Sequence, residues 1–236
     1  MEKVMLITGA SGGMGSEMVK WFKSKGFKLA LHYFDHPIQL DNSDNIRLYK
    51  ADLTKEAEVK QLIEQIEIDF GKIDFVINNA GISKSAMSWK MDIADWKQTM
   101  AVNLDAPFFI SKYVIPSMRQ HKSGRIINIS SIVAQTGYIG TAAYAASKAG
   151  LIGLTKTLSK ELATSGITVN ALALGYFNVG MIEDVPLELQ SEIIKTIPVN
   201  KLGNPSAVCK TIEWLISDES NYVTGQVINL NGGMYA

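Results

Sequence analysis

Residues 4–15 read VMLITGASGGMG. A short apolar run, residues 4–8, passes directly into a turn with glycines at 9, 12, 13 and 15. Met14, Met18, Val19 and Phe22 then recur at helical spacing, and Gly26 ends the run. A strand, a glycine-rich turn and a helix in that order confine a chain to a β-α-β beginning, with further strands laid parallel to the first. Glycines let the backbone approach a pyrophosphate, and the helix start offers free N–H groups and a positive dipole end. A plain tight turn is the competing explanation; placement at the first β-to-α connection favours dinucleotide binding.

Further apolar runs at 28–34, 46–51, 73–78, 125–130, 168–172 and 226–230 read as strands, with amphipathic stretches between them. The expectation is an α/β fold: a single domain over 1–236, a doubly wound parallel sheet flanked by helices. A length of 236 residues with 47% hydrophobic side chains supports a full core. Basic and acidic residues balance at 23 each, which argues against a nucleic-acid binder. One cysteine, Cys209, excludes an internal disulfide framework and fits a cytoplasmic setting. The start has no signal-peptide pattern, and no apolar run approaches membrane-spanning length, so no membrane partner is expected.

The second strand ends in Tyr33-Phe34-Asp35-His36, where a dinucleotide fold meets the adenosine ribose. No Arg or Lys stands there to accept a 2′-phosphate, which tips NAD(P)(H) toward NAD(H) and leaves the choice open. His32 and His36 are read as surface histidines, and no metal site is expected. After the third strand, Thr54 is placed to cap the next helix, while Asp52 either faces the adenine or joins the turn. Asn78-Asn79-Ala80-Gly81 follows the fourth strand, where small residues and amides suit a flat ligand lying across the sheet edge. Asp92 and Asp95 bias the next helix start.

The chemistry concentrates in SSIVAQTGYIGTAAYAASK, residues 130–148. Tyr144 and Lys148 are four apart at the start of a helix read over 144–162, so they share a face. Ser131 closes the preceding strand. An ammonium one turn from a phenol is expected to lower its pKa toward neutrality, making Tyr144 an acid/base, with Ser131 holding the substrate oxygen. Asn103 lies in a long helical region reaching about residue 120, with Pro107 and Pro116 inside it. Beside loosened backbone it either satisfies that backbone or holds a relay water. Residues 175–200 read as a substrate cover, and Asn204-Pro205 as a cap and first residue of a last helix.

TGASGGMG, NNAG at 78–81, Asn103, Ser131 and YAASK together resemble the short-chain dehydrogenase/reductase family, over essentially the whole chain. The resemblance implies a Rossmann-type sheet of about seven strands in a homotetramer. It implies a catalytic set of Asn103, Ser131, Tyr144 and Lys148, with Lys148 also on the nicotinamide ribose. Cofactor contacts would come from Gly9, Ser11, Gly13, Met14, Gly15, Tyr33, Asp52, Leu53, Asn79, Ala80, Gly81, Gly175 and Val179, besides Tyr144 and Lys148. Within the family the sequence is similar to reductases of 3-oxoacyl thioesters, through NAGISKSAMSWKMDIADWKQTMAVNLDAPF and IPVNKLGNP. It departs from them at Leu174, where a proline is usual, and at Val179, where a threonine is usual. Of two basic positions that dock acyl carrier protein, Lys122 keeps one and Ser165 vacates the other. Gln135, Tyr138 and Tyr176 are expected in the substrate pocket, with Phe177, Met87 and Trp89 as further lining. A sugar, steroid or aromatic alcohol is the alternative substrate, and a non-catalytic nucleotide-binding protein the alternative class.

Overall fold

In a computed structural model, which describes residues 3–183 and 185–236, seven strands form one parallel sheet. They are β1 Val4–Ile7, β2 Lys28–Tyr33, β3 Ile46–Lys50, β4 Phe75–Asn78, β5 Gly124–Ser131, β6 Ile167–Leu174 and β7 Val227–Leu230. The order across the sheet is β3-β2-β1-β4-β5-β6-β7. β1 therefore pairs with β2 on one side and with β4 on the other. Strand order reverses at that pair, and the crevice it opens at the carboxyl ends is where ligands of such sheets bind.

Burial on both faces explains why the strands read as near-continuous apolar runs. On one face α1 (Gly13–Ser24) and α8 (Pro205–Leu215) pack Met18, Phe22, Cys209 and Ile212 against Met5, Leu29 and Leu31. On the other, α2 (Glu56–Phe70), α4 (Ala106–His121) and α6 (Ala142–Leu162) cover Leu6, Ala30, Val76 and Val169. Three shorter helices complete the set: α3 Ile93–Met100, α5 Val133–Thr136 and α7 Leu187–Thr196. Among the described residues, no helix is long and apolar enough to cross a membrane.

Local chemistry sets several element starts. Asp92 caps α3 by accepting from Ala94 N–H, and Asn204 caps α8 by accepting from Ser206 N–H with Pro205 as the first helical residue. Thr54 does not cap α2 as expected. Its hydroxyl donates to Asp52 Oδ1 at 2.7 Å, and α2 begins two residues later at Glu56. Both prolines lie inside the continuous helical run of residues 93–121 as expected, Pro107 directly after the π turn and Pro116 within α4. The break in the ladder lies earlier: residues Ala101–Asp105 form a π turn, and Asn103 is inside it.

Candidate active site

At the switch point the glycine-rich turn is held from two sides. Asn79 Nδ2 donates to the carbonyls of Thr8 and Gly9, at 2.9 and 3.1 Å. Thr8 Oγ1 accepts from the N–H groups of Asn79 and Ala80, both at 3.0 Å. Close approach explains the glycines. Gly9 has φ +61°, and a Cβ there would stand 2.9 Å from Ala80 Cα. A Cβ on Gly13 would stand 2.5 Å from Gly180 Cα, so residues 179–180 cross directly over the turn. A Cβ on Gly15 would press on the Gly9 carbonyl. The result is a bare-backbone cradle at the amino end of α1 that fits a dinucleotide's phosphates. Ser11 and Met14 lie on its rim, half-buried.

The adenosine side is less uniform. Tyr33 ends β2, half-buried, and Phe34 beyond it is exposed. Asp52 joins the turn: its carboxylate accepts from Thr54 N–H and Oγ1 and pairs with Lys55. Burial alone would raise its pKa, but those partners hold it below the ordinary carboxylate value. Leu53 turns its side chain into the core, so only its backbone is available to a ligand. His32 is not at the surface as expected but fully buried, because β2 is an interior strand covered on both faces.

The catalytic candidates meet at the carboxyl end of β5. Ser131 is its last residue, and α6 returns across it with Tyr144 in its first turn. Side-chain bonds fasten α6 to the strand: Ser130 Oγ donates to Lys148 O at 3.1 Å, Lys148 Nζ to Ile129 O at 2.7 Å and Asn128 Nδ2 to Thr155 Oγ1 at 2.8 Å. Nζ stands 5.8 Å from the Tyr144 ring centroid. Burial pushes the Tyr144 phenol above its ordinary pKa; the Ser131 hydroxyl bond opposes this, and nearby Tyr176 adds to it. Burial also lowers Lys148 to about 8. Desolvation of the buried phenolate thus outweighs the lowering expected from the Lys148 ammonium, and the net shift is upward.

Asn103 is wholly buried and fully engaged. Its Oδ1 accepts from Ile82 N–H at 2.9 Å, while Nδ2 donates to Ile82 O at 2.9 Å and to Ser147 Oγ at 3.0 Å. It therefore staples the loop after β4 to α6. A Cβ on Gly81 would stand 3.3 Å from Lys148 Nζ and 3.4 Å from Asn103 Oδ1, so Gly81 is the open wall beside both.

The edge where a substrate would enter is aromatic. Tyr138 is exposed and Tyr176 half-buried, and burial together with the nearby Tyr138 phenol raises the Tyr176 pKa. Gln135 Nε2 donates to Asn229 Oδ1 at 2.7 Å, which ties the α5 segment to β7. Met87 and Trp89 are exposed on the loop that pairs through Ala86 with Thr141. Phe177, expected among the lining residues, is buried in the core, and its ring lies against Gly203. Gly175 approaches Asn231 at the end of β7, and Val179 packs half-buried on the α1 side. Among the described residues no group of three or more His, Cys, Asp or Glu is placed to hold a metal.

Residues 9–235 match a family model described as enoyl-(acyl carrier protein) reductase. The chain is 38% identical to an acetoacetyl-CoA reductase of Rhizobium meliloti (strain 1021), covering 100% of this chain and 99% of that protein. It is 36% identical to a 3-oxoacyl-(acyl-carrier-protein) reductase FabG of Staphylococcus epidermidis, with 100% of both chains covered. It is 37% identical to the FabG of Thermotoga maritima, over 98% of this chain and 97% of the other. The chain belongs to the short-chain dehydrogenase/reductase family. As a member of that family it is an oxidoreductase of C=O and CH–OH groups that binds a nicotinamide dinucleotide. Within this short-chain dehydrogenase/reductase, two features of the site escaped sequence reading. The Ile82 staple depends on backbone three-dimensional placement and has no pattern. The buried His32 did have a signal: a polar residue inside the apolar strand KLALHY.

Proposed function

We propose that the chain, acting over 1–236 as one catalytic domain, reduces the ketone of a 3-oxoacyl thioester to a secondary alcohol with a reduced nicotinamide cofactor. The carrying observation is the convergence of Ser131, at the end of β5, with Tyr144 and Lys148 of α6 at the carboxyl edge of the sheet, where burial raises the pKa of the phenol. A phenol kept protonated at neutral pH is a proton donor, which is what carbonyl reduction requires of its acid. Ser131 holds the carbonyl oxygen beside that donor. Lys148, charged for the most part below about pH 8, supports the ribose and offsets negative charge as Tyr144 gives up its proton. Asn103 keeps the loop at 81–82 in place against α6 and acts as a positioning residue for the reaction. The bare-backbone turn at 9–15, with Asn79, Ala80 and Gly81, would hold the cofactor, which supplies the hydride when bound. Residues 175–200 would cover the substrate.

The names of the relatives favour a 3-oxo group over an enoyl one. Absence of a basic side chain at 33–36 favours NADH over NADPH. One basic residue at the Lys122 and Ser165 pair favours a small coenzyme A thioester over a carrier-protein one. A homotetramer is the expected assembly. The test is oxidation of reduced nicotinamide on addition of acetoacetyl-CoA, with NADH and NADPH in parallel and the acyl-carrier-protein thioester as a third arm. Rapid oxidation that Tyr144→Phe abolishes, with cofactor binding kept, is the expected result. Turnover near the wild-type rate in that variant would refute the assignment.

A further inference from the structure

Both nitrogens of the buried His32 ring are committed to backbone, and the two backbone groups belong to different loops. Nδ1 lies 3.2 Å from Gly9 N, in the glycine-rich turn. Nε2 lies 3.0 Å from Ala51 O, at the entry to the Asp52-Leu53 turn. The strand adds a third tie, since Ala10 N–H donates to His32 O at 2.9 Å. A backbone N–H can only donate and a carbonyl only accept, so the pattern requires the neutral ring with its proton on Nε2. One side chain thus spans the two loops that would carry the phosphate and adenosine halves of a dinucleotide.

We propose that His32 is a positioning residue for the cofactor: it fixes Gly9 in its left-handed conformation and sets the spacing between the phosphate-binding turn and the adenosine-binding turn. This rests on the cofactor reading of the site. Gly9 cannot relax on its own, because its carbonyl is already taken by Asn79 and its Cα faces Ala80. A proton gained at Nδ1 would turn the acceptor into a donor aimed at the Gly9 N–H, so the tie holds only in the neutral form. Burial lowers the ring's pKa, and the Ala51 bond opposes that. The ionisable groups around it are Tyr49, opposite it on β3, with Arg47 and Lys50 on the same strand; Asp52, Lys55 and Glu58 at the start of α2; and Lys28 and Tyr33 on its own strand, with Asp35 and His36 just beyond it. Tyr49 is bonded to Asp69, Asp52 to Thr54 and Lys55, and Glu58 to Asp52 N–H and Lys55, so none of these three partners the ring.

Two variants separate positioning from packing. His32→Leu removes both bonds and leaves Gly9 N–H buried without an acceptor. His32→Asn places Oδ1 where Nδ1 stood, keeps the Gly9 bond and does not titrate. Dissociation constants for NADH and NADPH, read from nicotinamide fluorescence at pH 7.5 and 5.5, are the readout, with the cofactor KM and kcat alongside. The expected result is about a 5- to 30-fold weaker cofactor complex for H32L, the range that follows from one orphaned buried donor. H32N should fall between wild type and H32L, because it keeps the Gly9 bond and loses the Ala51 one. The KM of H32L should rise by more than its kcat falls. Followed over a further pH series below 6.5, wild type should lose affinity as the ring gains its proton while H32N does not. Folded H32L with wild-type affinity, or H32N as weak as H32L, would overturn the proposal. If H32L does not fold, equal pH dependence in wild type and H32N overturns it. Wild-type protein that binds neither cofactor would instead overturn the cofactor reading itself, and this proposal with it.

Discussion

Replacing Asn103 by alanine tests whether that residue holds the site together or acts in the chemistry alone. The substitution strips Ile82 N–H and Ile82 O of their partners and removes one donor to Ser147 Oγ. An unsatisfied buried backbone group costs about 1–3 kcal/mol. Ile82 is half-buried, so water recovers part of that and about 1 kcal/mol for each of its two groups is the better figure. Ser147 keeps its own bond to Tyr144 O, and its loss is roughly 0.5 kcal/mol. With the void left by the amide, the sum is about 2–4 kcal/mol. At about 2–4 °C per kcal/mol for a chain of this size, Tm should fall by roughly 5–15 °C. Thermal and denaturant unfolding of N103A beside wild type gives the number, and turnover is measured well below both transitions. A Tm within about 1 °C of wild type, with turnover lost, would refute the staple argument.

Gly15→Ala forces the new methyl onto the Gly9 carbonyl, and should destabilise by about 1–3 kcal/mol and weaken cofactor binding; unaltered Tm and affinity would show that the turn yields freely. In the proposed site Lys148 would support the ribose only while charged, so kcat/KM for the cofactor should decline as pH rises through about 8. Lys148→Arg should remove that limb; a limb that persists belongs to another group. His32 has a folded pKa below its unfolded value of 6.5, so the unfolded chain binds more protons in the window below 6.5 and stability falls as pH drops there. His32→Asn should flatten that part of the stability curve.

The strands were legible because a sheet covered on both faces demands long apolar runs, and the glycine turn because only bare backbone fits where it passes Ala80 and Gly180. The Ser131, Tyr144 and Lys148 grouping was legible because a strand end and one helical turn fix their separation. What the sequence concealed depends on competition between partners. Burial of the Tyr144 phenol, which the helix spacing does not disclose, outweighs the Lys148 ammonium one turn away and leaves the phenol pKa raised. Thr54 found Asp52 before it found a helix N–H. Phe177 followed Gly203 into the core, where the missing side chain leaves room for a ring. His32 is buried because β2 lies inside the sheet; its place within the apolar run KLALHY carries that signal, and the exposed His36 nearby obscures it.

The strand order has a consequence for how the chain is made. β1 to β4 all come from the first 78 residues, and they occupy one contiguous half of the sheet, β3-β2-β1-β4. No strand in that half waits on a neighbour from later in the sequence until β5 arrives at the free edge of β4. A chain leaving the ribosome amino end first can therefore pair these four strands as a unit, with exposed edge confined to β4 and to β3. The residues proposed for proton transfer are appended afterwards, on a strand and helix that dock against an edge already laid down. Synthesis can thus run in the same direction as strand pairing in this half, with α4 and α8, which cover its two faces, arriving later.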